Sequence, residues 1–226
     1  MISEMFALFA WLAALIAGPE AWFQNAKLLY ADDFTHGLSR WTVEMEKPGR
    51  VEAKDGILSI DVPAGCTVWF RPELKGAIRI EYEAVMVRRG GPNDRVSDLN
   101  CFWMAANVRP RGGRFAEYND LRAYYVGQGG NWNTTTRFRR YIGDTETRPM
   151  LPEHDLSSPD VLLKPNVSQK VELVAFGGRI QYIRDGRVIF DFHDPQPYLR
   201  GRFGFRTTYS HVELRRFRVY RIERAR

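Results

Sequence analysis

Apolar and polar side chains alternate over long stretches of the chain. In the segment 78–86 the even-numbered residues are Ile, Ile, Tyr, Ala and Met, whereas the odd-numbered ones include an arginine and two glutamates. Because successive side chains of a β-strand point to opposite faces of the sheet, this pattern predicts a half-buried strand. Similar segments recur from residue 28 onward, and helical periodicity is confined to the first twenty or so residues.

The last third of the chain contains turn signals between apolar runs. Gly177-Gly178 and Asp185-Gly186 each separate two strand-like segments, and such dipeptides favour two-residue hairpins because both positions require positive φ. Two more strands around a polar turn are predicted over residues 201–222. Many short strands with regularly spaced turns predict an all-β fold, a two-sheet antiparallel sandwich, for residues 28–222 as one domain.

The N-terminal segment, residues 1–22, has two interpretations. An apolar run from Met5 to Ala17 has the length of a signal-peptide core and is too short for a stable membrane span. However, no basic residue precedes it and Glu4 has the opposite charge, so a helix packed on the domain is the alternative. The export signal is the favoured interpretation, and it predicts a secreted or periplasmic protein.

Charge and cysteine content narrow the function classes. The 226-residue chain has a formal charge of +6 and 13% aromatic residues. An acidic partner would suit this charge, although positive charge also serves solubility. No nucleic-acid-binding motif is present, so no nucleic-acid partner is predicted, and an anionic lipid or an acidic polysaccharide stays open as the acidic partner. Cys66 and Cys101 have no metal-ligand spacing, so the sequence predicts buried free thiols, with a disulfide as the alternative.

The segment "GRIQYIRDGRVIFDFHDPQPYLRGRFGFRTTYSHVELRRFRVYR" resembles the closing strands of the concanavalin A-like lectin/glucanase superfamily, near its laminin-G-like and keto-disaccharide-hydrolase-like branches. The segment "LRAYYVGQGGNWNTTTRFRRY" resembles a bacterial family of uncharacterised domains from polysaccharide-degrading proteins. The resemblance implies a jelly-roll sandwich whose concave sheet forms a carbohydrate cleft. It implies no cofactor, although a structural calcium, with Asp32, Asp33 or Asp191 as ligands, is compatible with it.

Strand alternation predicts which side chains face that cleft. Leu121, Ala123 and Tyr125 are assigned to the core, which turns their neighbours toward the cleft, and Gly129-Gly130 is expected to form a turn at the rim. The predicted substrate-binding residues are Asp98, Asn100, Arg122, Gln128, Asn131, Trp132, Asn133, Arg139 and Arg206. Guanidinium groups bind carboxylates, and amides match sugar hydroxyls. The competing interpretation is a solvated sheet face with cross-strand ion pairs.

Three activities remain open for such a cleft. A lyase acting on a uronate-containing glycan by β-elimination is slightly favoured, with Tyr124, His154 and Arg137 as predicted catalytic residues because a histidine, a tyrosine and an arginine can supply base, acid and charge neutralisation. A glycoside hydrolase needs two carboxyl groups, and the Glu-x-Asp-x-x-Glu strand of laminarinase-like enzymes is missing. The third alternative is a non-catalytic carbohydrate-binding module.

Overall fold

The computed structural model describes residues 26–223, and within that range the chain is built almost entirely from antiparallel strands. The predicted signal segment lies outside the described residues. The strands are β1 (Lys27–Asp32), β2 (Trp41–Met45), β3 (Arg50–Lys54), β4 (Ile57–Phe70), β5 (Leu74–Lys75), β6 (Ile78–Met86), β7 (Leu99–Ala106), β8 (Arg122–Gly129), β9 (Thr135–Ile142), β10 (Asp155–Leu156), β11 (Ser168–Phe176), β12 (Arg179–Arg184), β13 (Arg187–His193) and β14 (Arg200–Arg221). Within residues 26–223, short helical segments lie in the connections between strands, at Phe115–Tyr118, Gly130–Asn133, Pro152–His154 and Pro159–Val161.

One long strand joins the two layers. The order β10-β9-β8-β7-β14-β6-β11-β12-β13 runs without a break through β14, which has 22 residues. The first half of β14 pairs with β7, and its second half pairs with β6. The sheet therefore curls over on itself, as the predicted all-β jelly-roll sandwich requires.

The main core fills the space between the two layers. Phe138 of β9 packs against Phe190 and Phe192 of β13, with ring centroids 6.0 and 5.5 Å apart. In the middle of the sheet, the ring of Tyr82 from β6 contacts that of Phe205 from β14 at 5.0 Å. The alternation predicted for β6 is confirmed, because its even-numbered residues are buried and its odd-numbered ones are half-buried.

Both predicted hairpins are confirmed. Gly177 and Gly178 join β11 to β12 with φ of 56° and 87°, and Asp185 and Gly186 join β12 to β13 with φ of 50° and 78°. These angles are positive at both central positions, which glycine and aspartate tolerate better than other residues do.

Both cysteines are free and buried in the main core, as the favoured sequence interpretation predicted. Burial raises the pKa of the Cys66 thiol and of the Cys101 thiol to about 12. These thiols therefore serve as small apolar side chains.

Candidate functional site

A cleft of about 350 Å³ lies on the outer face of β7, β8 and β9, on the side opposite the main core. The strands contribute Asn100, Tyr125, Gly127, Thr135, Arg137 and Arg139 to its lining. The neighbouring loops and β14 contribute Asp98, Phe115, Asn131, Arg148, Arg206 and Thr208. Six of the residues predicted from strand alternation are thus brought together here: Asp98, Asn100, Asn131, Arg137, Arg139 and Arg206.

The register of β8 and β9 sets the floor of the cleft. Tyr125 is paired with Arg139, and Gly127 is paired with Arg137. A Cβ atom at Gly127 would lie only 2.8 Å from the Tyr125 hydroxyl, so the missing side chain leaves room for the tyrosine ring and for the cleft above it.

The loop between β7 and β8 closes one end of the cleft. It packs over the outer face of the sheet, where Tyr118 and Phe115 join Trp69, Phe102 and Tyr125 in a second apolar cluster. A buried carboxylate holds this loop in place, because Glu44 accepts hydrogen bonds from the Trp69 indole at 2.9 Å and from the Tyr118 hydroxyl at 2.7 Å. Phe115, one of the residues so placed, forms part of the cleft wall.

The charge of the cleft is predominantly positive, because four arginines and one aspartate line it. Arg137 forms a bidentate pair with Asp155, with N–O distances of 2.7 and 3.0 Å. This hydrogen-bonded pair raises the pKa of Arg137 and lowers that of Asp155. Arg139 instead donates to the backbone oxygen of Arg148 at 2.7 Å, so its charge is not neutralised by that contact.

Two deeply buried polar side chains at the cleft have atoms without a hydrogen-bond partner. Arg206 is 2% exposed; its Nη1 donates to Thr67 Oγ1 and to the Gly113 carbonyl, whereas Nη2 has no partner. Asn100 is 4% exposed, and its Oδ1 also has no partner. The two residues are directly opposite each other on β14 and β7. Arg206 was predicted to face the cleft, and it does so, but the loop between β7 and β8 covers most of its side chain.

An exposed aromatic residue stands at the rim, where Gly129-Gly130 turns β8 into β9 as predicted. Trp132 is 71% exposed, and the Arg95 guanidinium lies 4.8 Å from the centre of its ring. Arg95 also pairs with Asp98 at 2.5 Å. Asn131, Trp132 and Asn133 all have positive φ, between 52° and 61°. A run of three such non-glycine residues is strained, and strain of this kind is often found at functional sites.

The predicted cleft-side positions of Tyr124 and Gln128 are wrong, because the alternation of β8 has the opposite phase. Tyr124 is buried in the main core, where its hydroxyl donates to Asp194 at 2.7 Å and burial raises its pKa. Gln128 is buried on the same face and exchanges amide hydrogen bonds with Gln169. Tyr125, which was assigned to the core, faces the cleft instead.

Three more predicted residues lie away from the cleft. His154 packs edge-on against Phe138, with ring centroids 4.9 Å apart, and burial lowers its pKa. Asn133 uses its side-chain amide to bind the backbone N–H and carbonyl of Leu163. Arg122 lies at the end of β8 over the ring of Tyr198. The loop containing His154 was expected to reach the cleft, but it folds behind β9 because the imidazole completes an aromatic cluster.

Sequence reasoning missed Tyr125, Phe115, Arg148 and Thr208. Phe115 and Arg148 lie on connections, where strand alternation gives no information about direction. The only sequence signal for Phe115 is the aromatic pair of "RFAEY", which is unusual for a solvated loop.

Within residues 26–223, no three side chains of His, Cys, Asp or Glu converge as a metal site. The residues considered for calcium are engaged elsewhere: Asp32 accepts from the Trp41 indole, Asp33 from Thr35, and Asp191 pairs with Arg179. The same described range contains no helix that is both long and apolar enough to cross a bilayer.

Comparisons with known proteins agree with this architecture. The model of the family described as "Domain of unknown function (DUF6250)" matches residues 60–217, more than half of the chain. No curated protein matches the chain.

Solved structures share the fold at low sequence identity. A protein of unknown function with a galectin-like fold from Bacillus subtilis has 18% identity and a TM-score of 0.68, over 88% of this chain and 98% of that one. LamA from Z. galactanivorans, in complex with laminaritriose and laminaritetraose, has 11% identity and a TM-score of 0.59, over 86% and 99%. The carbohydrate-binding module CBM66 from Bacillus subtilis has 11% identity and a TM-score of 0.52, over 80% and 94%.

Proposed function

The chain belongs to the DUF6250 family, and from that premise we propose that it binds an oligosaccharide with acidic groups in the cleft on β7, β8 and β9. The observation that carries the proposal is the pair of buried polar atoms without partners, Asn100 Oδ1 and Arg206 Nη2. A buried donor or acceptor left unpaired costs about 1–3 kcal/mol, so a ligand that hydrogen-bonds to these two atoms would be stabilised by that pairing. A sugar hydroxyl both donates and accepts, and therefore suits an acceptor and a donor on opposed residues.

Aromatic and arginine side chains extend this complementarity. Phe115 and Tyr125 line the cleft and Trp132 stands exposed beside it, which supplies apolar surfaces for sugar rings. Arg139 donates to the backbone oxygen of Arg148 rather than to a carboxylate, and the Arg148 guanidinium lies over the ring of Phe115. Their guanidinium groups are therefore available for an acidic substituent such as a uronate carboxylate, which an arginine can bind through two parallel hydrogen bonds.

The fold neighbours support a saccharide as the ligand class. CBM66 is a carbohydrate-binding module, and the LamA structure contains laminari-oligosaccharides. We extend this ligand class to the present chain on the basis of the cleft chemistry described above. A polysaccharide ligand also favours a secreted or periplasmic location. We therefore propose residues 1–22 as the export segment.

Hydrolysis receives little support from the cleft. Glycosidases need two carboxyl groups on either side of the scissile bond. Among the described residues that line the cleft, Asp98 is the only carboxylate, and Arg95 already pairs with it.

Elimination is the second candidate function, with Tyr125 in the role that the sequence assigned to Tyr124. Tyr125 lines the cleft, and burial raises its pKa well above its ordinary value, so its hydroxyl is protonated but would give up the proton only as the leaving oxygen develops negative charge. Arg139 and Arg148 would neutralise the uronate carboxylate, and Asp98 would have to leave its pair with Arg95 to act as the base for the C5 proton.

The test is titration calorimetry of the full chain with uronate oligosaccharides and with neutral laminari-oligosaccharides. Losing a charged hydrogen bond costs about 1.5–3 kcal/mol, so Arg139→Gln and Arg148→Gln should each raise the Kd for the acidic ligand about 10- to 150-fold. The matched control is Arg187→Gln, an exposed arginine on β13 that pairs with Asp160 outside the cleft. Unchanged affinity in both cleft variants would refute the proposal.

The same incubations separate binding from catalysis. Absorbance from a new C4–C5 double bond would identify elimination, and Tyr125→Phe should abolish it. Reducing ends without that absorbance would identify hydrolysis. Binding without either product supports a non-catalytic module.

A further inference from the structure

A serine, a histidine and an aspartate form a continuous hydrogen-bonded chain outside the cleft. The Oγ atom of Ser59, on β4, lies 3.1 Å from Nε2 of His211, on β14. The other ring nitrogen of His211, Nδ1, lies 3.2 Å from Oδ1 of Asp94, in the loop between β6 and β7. Because the serine and the histidine are 152 positions apart in the sequence, the tertiary fold creates this arrangement.

The sheet and the loop together fix the three side chains. Ser59 and His211 lie on neighbouring antiparallel strands, on the face opposite the buried residues Leu58 and Val212. The other carboxylate oxygen of Asp94, Oδ2, accepts backbone N–H groups of the loop, from Arg89 at 2.6 Å and from Gly91 at 2.9 Å. These bonds orient the carboxylate so that Oδ1 is left for the imidazole.

The three side chains differ in how far they are exposed to solvent. The side chain of Asp94 is 7% exposed and that of His211 is 15% exposed, whereas Ser59 is half-buried at the outer face of β4. A small molecule can therefore approach the hydroxyl from solvent, while the carboxylate remains largely shielded behind the imidazole.

The order of the hydrogen bonds, from serine to histidine to aspartate, is the one that nucleophilic acyl transfer requires. In that chemistry a base removes the serine proton through one imidazole nitrogen, and a carboxylate on the other nitrogen holds the tautomer and the orientation of the ring. We propose that Ser59, His211 and Asp94 form a nucleophilic centre that hydrolyses carboxylic esters. Ser59 is its nucleophile, His211 its general base and acid, and Asp94 its positioning residue.

The reaction balances with water as the only co-reactant. Ser59 Oγ bonds to the ester carbonyl carbon while its proton passes to His211 Nε2. The ester C–O bond then breaks, and His211 returns the proton to the departing alcohol. A water molecule next gives a proton to His211 and attacks the acyl-serine, which releases the carboxylic acid as the proton returns to Ser59 Oγ.

The surroundings of Ser59 indicate the ester class. Its neighbours across the two adjoining strands are Glu52 on β3 and Glu213 on β14. Two carboxylates beside the nucleophile repel an anionic acyl group, so the substrate is an ester with an uncharged acyl group. Arg89 pairs at 2.7 Å with Glu213, the cross-strand neighbour of Ser59, and its remaining N–H groups are the candidate donors for the oxyanion that forms during attack.

The test is covalent labelling of the full chain with a fluorophosphonate probe, followed by peptide mass spectrometry, together with hydrolysis of p-nitrophenyl acetate. We expect one adduct, on Ser59, and no adduct in Ser59→Ala. His211→Asn should slow labelling and hydrolysis about 100-fold or more, the usual contribution of a general base. The control is His36→Asn, which removes an exposed imidazole that lies 2.8 Å from the hydroxyl of its neighbour Thr35, and it should leave both rates unchanged.

The Asp94→Asn variant distinguishes a role of Asp94 in orienting His211 from a role in stabilising the fold. If Asp94 orients His211, kcat should fall at least 10-fold with KM unchanged, even where the melting temperature is retained. The proposal is overturned if the wild-type chain gives no adduct at Ser59, or if folded Ser59→Ala hydrolyses the ester as fast as the wild type. Saccharide affinity at the cleft is measured separately, so neither result depends on the other.

Discussion

Replacement of Asn100 by leucine should have opposite effects on stability and on ligand binding. In the free protein the Oδ1 atom of Asn100 is buried without a partner, and its Nδ2 group makes only a long contact of 3.4 Å to Asp98. Leucine has a similar size and no polar atoms. The substitution therefore removes an unpaired acceptor from the unbound protein and a hydrogen-bonding group from the cleft.

The magnitude follows from these contacts. An unpaired buried acceptor costs about 1–3 kcal/mol, and the long contact to Asp98 contributes about 0.5 kcal/mol, so the free energy of unfolding should rise by about 1 kcal/mol. For a domain of this size such a change raises the melting temperature by about 2–4 °C. Loss of one hydrogen bond to a sugar hydroxyl, about 0.5–1.5 kcal/mol, should raise the Kd about 2- to 13-fold.

Differential scanning calorimetry and ligand titration would measure the two effects. The matched control is Gln128→Met, on the neighbouring strand β8 but on the core face. Its amide is fully engaged with Gln169 and with the Tyr182 hydroxyl, so the control should lower stability by about 1–3 kcal/mol and leave the Kd unchanged. If Asn100→Leu lowers the melting temperature, or leaves the affinity unchanged, the argument from unpaired atoms is wrong.

Three further predictions concern other parts of the molecule. Burial raises the pKa of Asp194, but hydrogen bonds from Arg140 and from a buried tyrosine outweigh it and lower the pKa below its ordinary value. The resulting stabilisation is present above the ordinary aspartate pKa of about 3.9 and is lost as the pH falls through the folded value. Asp194→Asn should thus lower the free energy of unfolding by about 3 kcal/mol at pH 7. In denaturant titrations at several pH values, the variant should lose less stability on acidification than the wild type does; an equal loss would contradict the prediction. Trp132→Gly should raise the melting temperature slightly, because a non-glycine residue in the left-handed conformation costs about 1–2 kcal/mol. The same variant should bind saccharide more weakly in titrations. A lower melting temperature would contradict the strain at this position. Cys66 and Cys101 should not react with Ellman's reagent at pH 8 until denaturant is added, because burial raises the pKa of each thiol to about 12, and rapid native labelling would contradict their burial.

Parts of the fold that are determined by neighbouring residues could be predicted from the sequence, whereas parts determined by distant contacts could not. The hairpins at Gly177-Gly178 and Asp185-Gly186 follow from backbone geometry that those residues alone permit, and the alternation of β6 follows from one buried face. In β8, two adjacent tyrosines fit either face equally well. Contacts with residues distant in the sequence determine which tyrosine faces the core: the Tyr124 hydroxyl donates a hydrogen bond to Asp194, and the loop between β7 and β8 packs on Tyr125.

The cleft itself was only half predictable for the same reason. The polar residues of β7 and β9 face it because Leu99, Cys101 and Phe138 are plainly apolar and must face inward. His154 could not be assigned from sequence, since an imidazole serves equally as a catalytic base or as a member of an aromatic cluster. Its position among Phe138, Phe190 and Phe192 is a property of the folded chain.

The position of β14 has a consequence for how the protein reaches its native state. Among the described strands, β14 pairs with β1, β4, β5, β6 and β7, and it follows all five in the sequence. During synthesis those five strands emerge with open edges and no central partner, and open edges are prone to pair with other chains. The rate of productive folding should therefore be set by the arrival of residues 200–221, and nascent chains that stop short of β14 should depend on chaperones to stay soluble.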